Sequence, residues 1–307
     1  MKIYYIDMPN KKISKWHESY WISQGHEVKH DMYFKEDLLK WADVCINLWC
    51  EGSAGELATY PKEGTHAKRY IQIVDIDAWY GHYRGIDWTN IDGVIFMSKH
   101  IQEMCAPFFQ DKFPNLPQYH FPLGIDLTQW TFSERDGNRH TVGFVADEWW
   151  SAKNPAMVVQ FMAKLIKESG HRNWKFDWRG AWGPEQWLRA YIDHMIKETN
   201  LTDLVNMDLT RVPDLNAWWD QQDYFVTFSQ KDSYSLIVGE AMAKGIKTLT
   251  HNWFRAKDIW DEKYVWTTID EAVEKILKQD YNSQEYREYI AKNHDIMNVM
   301  KKWDTIL

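Results

Sequence analysis

Asp232 and Glu240 stand eight positions apart in YFVTFSQKDSYSLIVGEAMAKGIKTLTHN, residues 224–252. Residues 224–228 are a short apolar run that predicts a buried strand. A polar turn, 229–233, follows, and from Leu236 the apolar spacing is helical. Gly245 falls where a helix C′ residue belongs, and 246–250 predicts the next strand. Helical side chains lean toward the helix N-terminus, so Glu240 should point back at the turn carrying Asp232. Two carboxylates then share a crevice with the first-turn N–H groups of Tyr234, Ser235 and Leu236. Such N–H groups and the helix dipole suit an anion, and carboxylates suit hydroxyls. A ligand with both is a nucleotide sugar. The plainer assignment makes Asp232 a turn former or cap and Glu240 a solvated helix residue.

The elements that would position this pair recur along the chain. Lys2 opens a strand, a helix near 14–24 follows, and Gly25 leads into the next strand, a Rossmann-type start. Residues 36–41 predict a helix and 43–49 a strand, followed by CEGSAG with Gly52 and Gly55 at its end. The strand at 70–74 runs into DIDAWYGHY, which offers Asp75, Asp77, Trp79 and His82. Residues 92–104 predict strand, turn and helix, with Ser98 as the cap. A Pro/Gly turn and a polar run near 127–140 mark a linker. Beyond it come a strand at 141–146, Lys153 before a helix at 156–168, and strands ending near Arg179 and at Arg211. Asn252 and Arg255 follow the strand at 246–250, and helices are expected at 271–279 and across 283–303.

The segment DSYSLIVGEAMAKG resembles the acid-x7-Glu element of the retaining group 1 (family 4) glycosyltransferases, Glu-Gly-Phe-Gly/Ser-Leu-x-x-x-Glu-Ala-Met-Ala-x-Gly. Leu236, Glu240, Ala241, Met242, Ala243 and Gly245 match it; Asp232, Ser233 and Tyr234 depart from it. FPLGID at 121–126 is similar to the family's Pro-Asn-Gly-Ile-Asp element, with Leu123 for Asn. Lys153-Asn154 resembles its Lys-Gly/Asn pair, while Asp147 stands where many relatives have Arg. The resemblance implies a GT-B fold: two Rossmann-like α/β domains facing across a cleft, with a C-terminal helix crossing back. Expected boundaries are 1–130 for acceptor binding, 131–285 for the nucleotide sugar, and 286–307 for the returning helix. It implies transfer of a sugar from a nucleotide diphosphate donor to a hydroxyl acceptor, with retention, no metal and no cofactor.

In that scheme Lys153 and the helix N-terminus stabilise the leaving diphosphate, with Arg179 or Arg255 as further cations. Glu240 takes the ribose hydroxyls, Asp232 the sugar, and Arg179 and Arg211 flank the base. Asp77 and His82 lie on the acceptor side, and Asn252 over the crevice. A rival resemblance, of Asp75-x-Asp77 to the metal-binding element of the GT-A class, would instead hold a cation on the diphosphate. Two further alternatives are a phage-type glycosyltransferase acting on hydroxymethylated DNA and a non-catalytic nucleotide-sugar-binding protein.

At 307 residues the chain suits two domains. Its formal charge of −8, from 36 basic and 44 acidic side chains, argues against a long phosphate-backbone footprint. Three cysteines without zinc-like spacing read as reduced thiols. No apolar run approaches bilayer-spanning length and no signal peptide is evident, so a cytoplasmic protein is expected, with peripheral membrane contact left open. The 19 Trp are expected mainly to fill cores.

Overall fold

The computed structural model describes residues 1–7 and 11–307. By internal contacts the chain divides into two compact units: Met1–Gly124 with Ile296–Leu307, and Ile125–Asp295. Among the described residues, each unit is built on one six-stranded sheet in which every pairing is parallel.

The first sheet comprises β1 (Lys2–Ile6), β2 (Glu27–Asp31), β3 (Val44–Leu48), β4 (Lys68–Ile73), β5 (Gly93–Phe96) and β6 (Gln118–His120). Its order is β2-β1-β3-β4-β5-β6, so the winding reverses between β1 and β3. The second comprises β7 (Thr141–Trp149), β8 (Lys175–Trp182), β9 (Val205–Asp208), β10 (Tyr224–Thr227), β11 (Lys247–His251) and β12 (Val265–Trp266). Here the order is β12-β11-β10-β7-β8-β9, the doubly wound pattern, with its reversal between β7 and β10. Strands of such sheets are covered on both faces and read as continuous apolar runs. Every residue of β3 and of β10 is buried accordingly.

Helices on these sheets follow their local signals. Pro155–Ser169 starts with Pro at its first turn and ends at Gly170 in the left-handed conformation (φ 71°). Its Val158, Val159, Phe161, Met162 and Leu165 are buried, in a core shared with Phe144, Trp178, Phe228 and Trp266. Leu236–Ala243 is closed by Gly245 (φ 81°), with Gly245 N–H donating to Met242 O at 2.9 Å and Ile246 N–H to Ala241 O at 3.1 Å. In the first unit, the fully buried Arg69 guanidinium donates to the carbonyls of Tyr60 and Pro61, beyond helix Ser53–Thr59.

Several expectations change in detail. β7 runs three residues past the predicted end at 146, because a bulge between Val145 and Glu148 lets it continue alongside β8. Gly180 makes this geometry feasible: at φ 118°, a Cβ there would sit 1.9 Å from the Ala146 carbonyl oxygen. β9 ends at Asp208, so Arg211 lies beyond the strand. Residues 75–80, for which no element was expected, form a helix. Ser98 occupies the cap position, but its hydroxyl lies 3.0 Å from His100 Nδ1 and caps nothing.

The expected run of helices at 283–303 breaks into Ser283–Asn293 and Ile296–Trp303. At the break, Ile125 forms a parallel bridge with Asp295, and its N–H donates to His294 O at 2.7 Å. Ile296–Trp303 belongs to the first unit, where Trp303 packs 4.6 Å from His17, 5.8 Å from Trp21 and 5.0 Å from Phe121. Residues 127–140 belong to the second unit, pinned there by Arg135, which donates to Gln222 O and Trp219 O. All three cysteines are buried free thiols. No helix among the described residues is long and apolar enough to cross a membrane.

Candidate functional site

In doubly wound sheets, ligands sit beyond the carboxyl ends of the strands, where the winding reverses. In the second unit that position lies past β7 and β10, the loops carrying Lys153 and Asp232. Lys153 Nζ is 3.4 Å from Ser229 Oγ and 3.9 Å from Asp232 Oδ2. The loops are tied by Gln230 N–H to Ala152 O at 2.9 Å, and His251, at the end of β11, approaches Ser229 O at 3.0 Å. Burial lowers the His251 pKa, which leaves its ring neutral. Chain positions 153, 229, 232 and 251 thus converge on one strand-end site.

Asp232 is more committed than its sequence position suggests. Its Oδ1 accepts the N–H groups of Tyr234 at 3.2 Å and Ser235 at 2.8 Å. Two of the three backbone donors expected to face a diphosphate are therefore taken by the protein's own carboxylate. The N–H groups of Leu236 and Ile237 remain as first-turn donors, which have no partner within a helix. Ser235 holds the turn in the left-handed region (φ 64°), a conformation costly for a non-glycine residue. Asp232 Oδ2 faces Lys153 and is the oxygen able to accept a ligand hydroxyl.

Tyr234 is a structural anchor. It is 1% exposed, its hydroxyl lies 2.9 Å from His294 Nδ1, and its carbonyl accepts from Trp260 Nε1 at 3.1 Å. Trp260 in turn packs 4.6 Å from the His294 ring. The aromatic that replaces Gly-Phe at 233–234 therefore fixes the loop from beneath. Glu240 is 1% exposed, so solvent does not reach it.

Each of the three arginines is held by an acid. Arg179 pairs with Asp177 at 2.7 Å and Asp208 at 2.6 Å. Arg211 pairs with Asp147 at 3.4 Å, both well exposed. The Asp147 charge reversal thus faces a cation from the loop after β9. Arg255 pairs with Asp258 at 2.7 Å. Asn252 donates through Nδ2 to Thr267 Oγ1 at 3.1 Å. Of the cations assigned to a diphosphate, Lys153 is the one placed at the reversal point with Asp232.

The first unit has its own strand-end cluster, past β3 and β4. Asp77 is fully buried, and Oδ1 accepts from Cys50 N–H while Oδ2 accepts from Val74 N–H, each at 3.1 Å. Burial raises the Asp77 pKa, and these two N–H groups and His82 partly offset that. His82 Nδ1 lies 3.3 Å from Asp77 Oδ1 and 3.2 Å from Glu51 Oε1. A metal element of the Asp-x-Asp kind needs both acids open to the ion; here helix formation at 75–80 turns Asp77 inward. The grouping that could ligate a cation is instead Glu51, Asp77 and His82, whose ligand atoms lie within 4.8 Å of one another. Glu51 was missed in the sequence because CEGSAG drew attention to its glycines; an acid one residue before them, just past a strand, was the available signal.

No protein-family model and no curated protein matches the chain. Solved structures do. Anabaena HepE in complex with UDP has a TM-score of 0.76 at 12% identity, covering 100% of this chain and 99% of that one. Sucrose-phosphate synthase from Thermosynechococcus elongatus has a TM-score of 0.74 at 12% identity, covering 100% and 98%. S. aureus TarM has a TM-score of 0.71 at 18% identity, covering 88% of this chain but 56% of TarM, little more than half its length.

Proposed function

We propose that this chain, whose fold is that of the GT-B glycosyltransferases, transfers a sugar from a nucleotide diphosphate donor to a hydroxyl acceptor. The observation that carries the proposal is the convergence of Lys153, Ser229 and Asp232 at the reversal point of the second sheet, beside the N-terminus of helix Leu236–Ala243. Lys153 and the N–H groups of Leu236 and Ile237 stabilise charge on the departing diphosphate. Asp232 Oδ2 accepts a hydroxyl of the sugar, while its Oδ1 holds the turn rigid. UDP is the nucleotide to try first, since it is bound in the HepE structure.

Retention of anomeric configuration and independence of a metal belong to the same proposal and rest on the sequence resemblance. The test is a thermal-shift screen of nucleotide sugars on the full chain, followed by transfer assays with and without chelator and NMR of the product anomer. A donor-dependent rise in Tm, with transfer that survives chelator, supports the reading. No Tm rise with any nucleotide sugar would sink it.

A further inference from the structure

We propose that the second unit carries a further binding site, for a small phosphorylated polyol or sugar, at the amino-terminal edge of its sheet. A cavity of about 640 Å³ opens at that edge. It is lined by Arg139 and His140 before β7, by Arg172 and Asn173 before β8, by Lys175 at the start of β8, and by Asp203 before β9. Arg172 and Asp203 also line an adjoining cavity of about 390 Å³ together with Lys197. Pockets for small molecules run from about 300 to 1,000 Å³, so the larger cavity holds more than a bare phosphate ion. β7 starts here and leads on to the Lys153 loop. Its nine residues, at about 3.3 Å each, separate this edge from the candidate donor site.

The cavity is cationic, and part of that charge is open to a ligand. Arg139, Arg172, Lys175 and Lys197 stand against two acids, Asp203 and the buried Asp223, in a chain of formal charge −8. Arg139 is spent on Asp223 Oδ1, which it meets through Nε at 2.8 Å and Nη2 at 2.6 Å. Arg172 is fixed but not spent. Its Nη2 donates to Asn200 O at 2.8 Å and Asp203 Oδ1 at 2.7 Å, leaving the Nε and Nη1 donors for a ligand. The ammonium groups of Lys175 and Lys197 have no partner among the described residues. Free guanidinium and ammonium N–H groups around one cavity suit phosphate oxygens.

The loops that carry these groups are tied together. Lys175 N–H donates to His140 O at 3.0 Å, and the His140 ring stands edge-on to Trp174 at 4.9 Å. His140 and Asn200 both hold left-handed backbone, φ 53° and 54°, which a non-glycine residue keeps only where its surroundings impose it. The walls also select the organic part of the ligand. Trp174 is 2% exposed, so this edge offers no indole face for a nucleobase. The Asn173 amide and the Asp203 carboxylate are partners for hydroxyls instead.

The test is calorimetric titration of the full chain with ribose 5-phosphate, inorganic phosphate and UMP. Ribose 5-phosphate should bind wild type and Lys153→Ala with affinities within about twofold, and Lys175→Glu at least about tenfold more weakly. The ring signals of His140, assigned in NMR spectra by difference against His140→Gln, should shift during the same titration. Lys175 has no side-chain partner, so Lys175→Glu should keep the wild-type Tm; Arg172→Gln gives a second test of the same cavity. Affinity lost in Lys153→Ala but kept in Lys175→Glu would put the phosphate at the other edge of the sheet and overturn the proposal. Inorganic phosphate binding as tightly as ribose 5-phosphate would mean an adventitious ion only, and tighter binding of UMP at this cavity would mean a nucleotide site. Either result, or no binding of ribose 5-phosphate at millimolar concentration, would overturn it as well. None of these outcomes depends on whether the chain transfers a sugar.

Discussion

Lys153 and Asp232 make different contributions although they sit together. Their 3.9 Å contact is partly exposed, and pairs of that kind stabilise a fold by about 0–1 kcal/mol. Lys153→Ala should therefore leave urea stability within about 0.5 kcal/mol of wild type while lowering donor kcat/KM by at least tenfold. Asp232→Ala also removes the one oxygen that accepts the Tyr234 and Ser235 N–H groups, so it should also cost about 1 kcal/mol in the same titration. Equal stabilities in the two variants would mean the cap does not hold the turn. Tyr234→Phe deletes only the hydroxyl bonded to His294 and should cost about 1 kcal/mol, since a buried partner is left unsatisfied. Of these roles, the turn-forming capacity of Asp232 was legible in the sequence, because an Asp before a helix start has few alternatives. Tyr234 was not, because its partner lies sixty positions away.

The strand–helix–strand unit around Leu236–Ala243 could be read almost to the residue, since its apolar spacing, Gly245 and two β-rich runs are all local signals. β7 could not, because its last three residues depend on a bulge whose support comes from Gly180 on another strand. Gly180→Ala should cost at least about 2–3 kcal/mol, since it combines φ 118° with a collision against the Ala146 carbonyl. Denaturant titration followed by far-UV circular dichroism would measure it. A cost below about 0.5 kcal/mol, the range of neutral surface changes, would show that the bulge relaxes. The helix at 75–80 was likewise hidden. It has one turn and a half, and its start is fixed by Asp77 reaching back to Val74 N–H rather than by a cap in the sequence.

Acid should destabilise the whole molecule in a defined window. Burial lowers the pKa of His17 to about 3 and of His294 to about 4. Both rings are neutral in the fold, whereas in the unfolded chain they charge below about 6.5. The unfolded state then binds more protons, so stability falls as pH drops from about 6.5 toward 4, by up to about 1.4 kcal/mol per pH unit for each ring. His17→Gln should flatten that slope by one ring's share between pH 6 and 5; an unchanged slope would show that His17 is not buried neutral. Trp303→Ala should cost about 3–5 kcal/mol, because it opens the pocket lined by His17, Trp21 and Phe121. The packing of Trp303 with His17, Trp21 and Phe121 also means that both chain ends belong to one body. The stretch 125–295 is in effect an insertion whose two ends are stitched by the Ile125–Asp295 bridge, while Gly124 abuts Ile296 so closely that a Cβ would come within 2.6 Å of its Cα. Such an insert can be cut out and its host rejoined: 125–295 should express as a soluble piece, and 1–124 spliced to 296–307 by a few glycines as another.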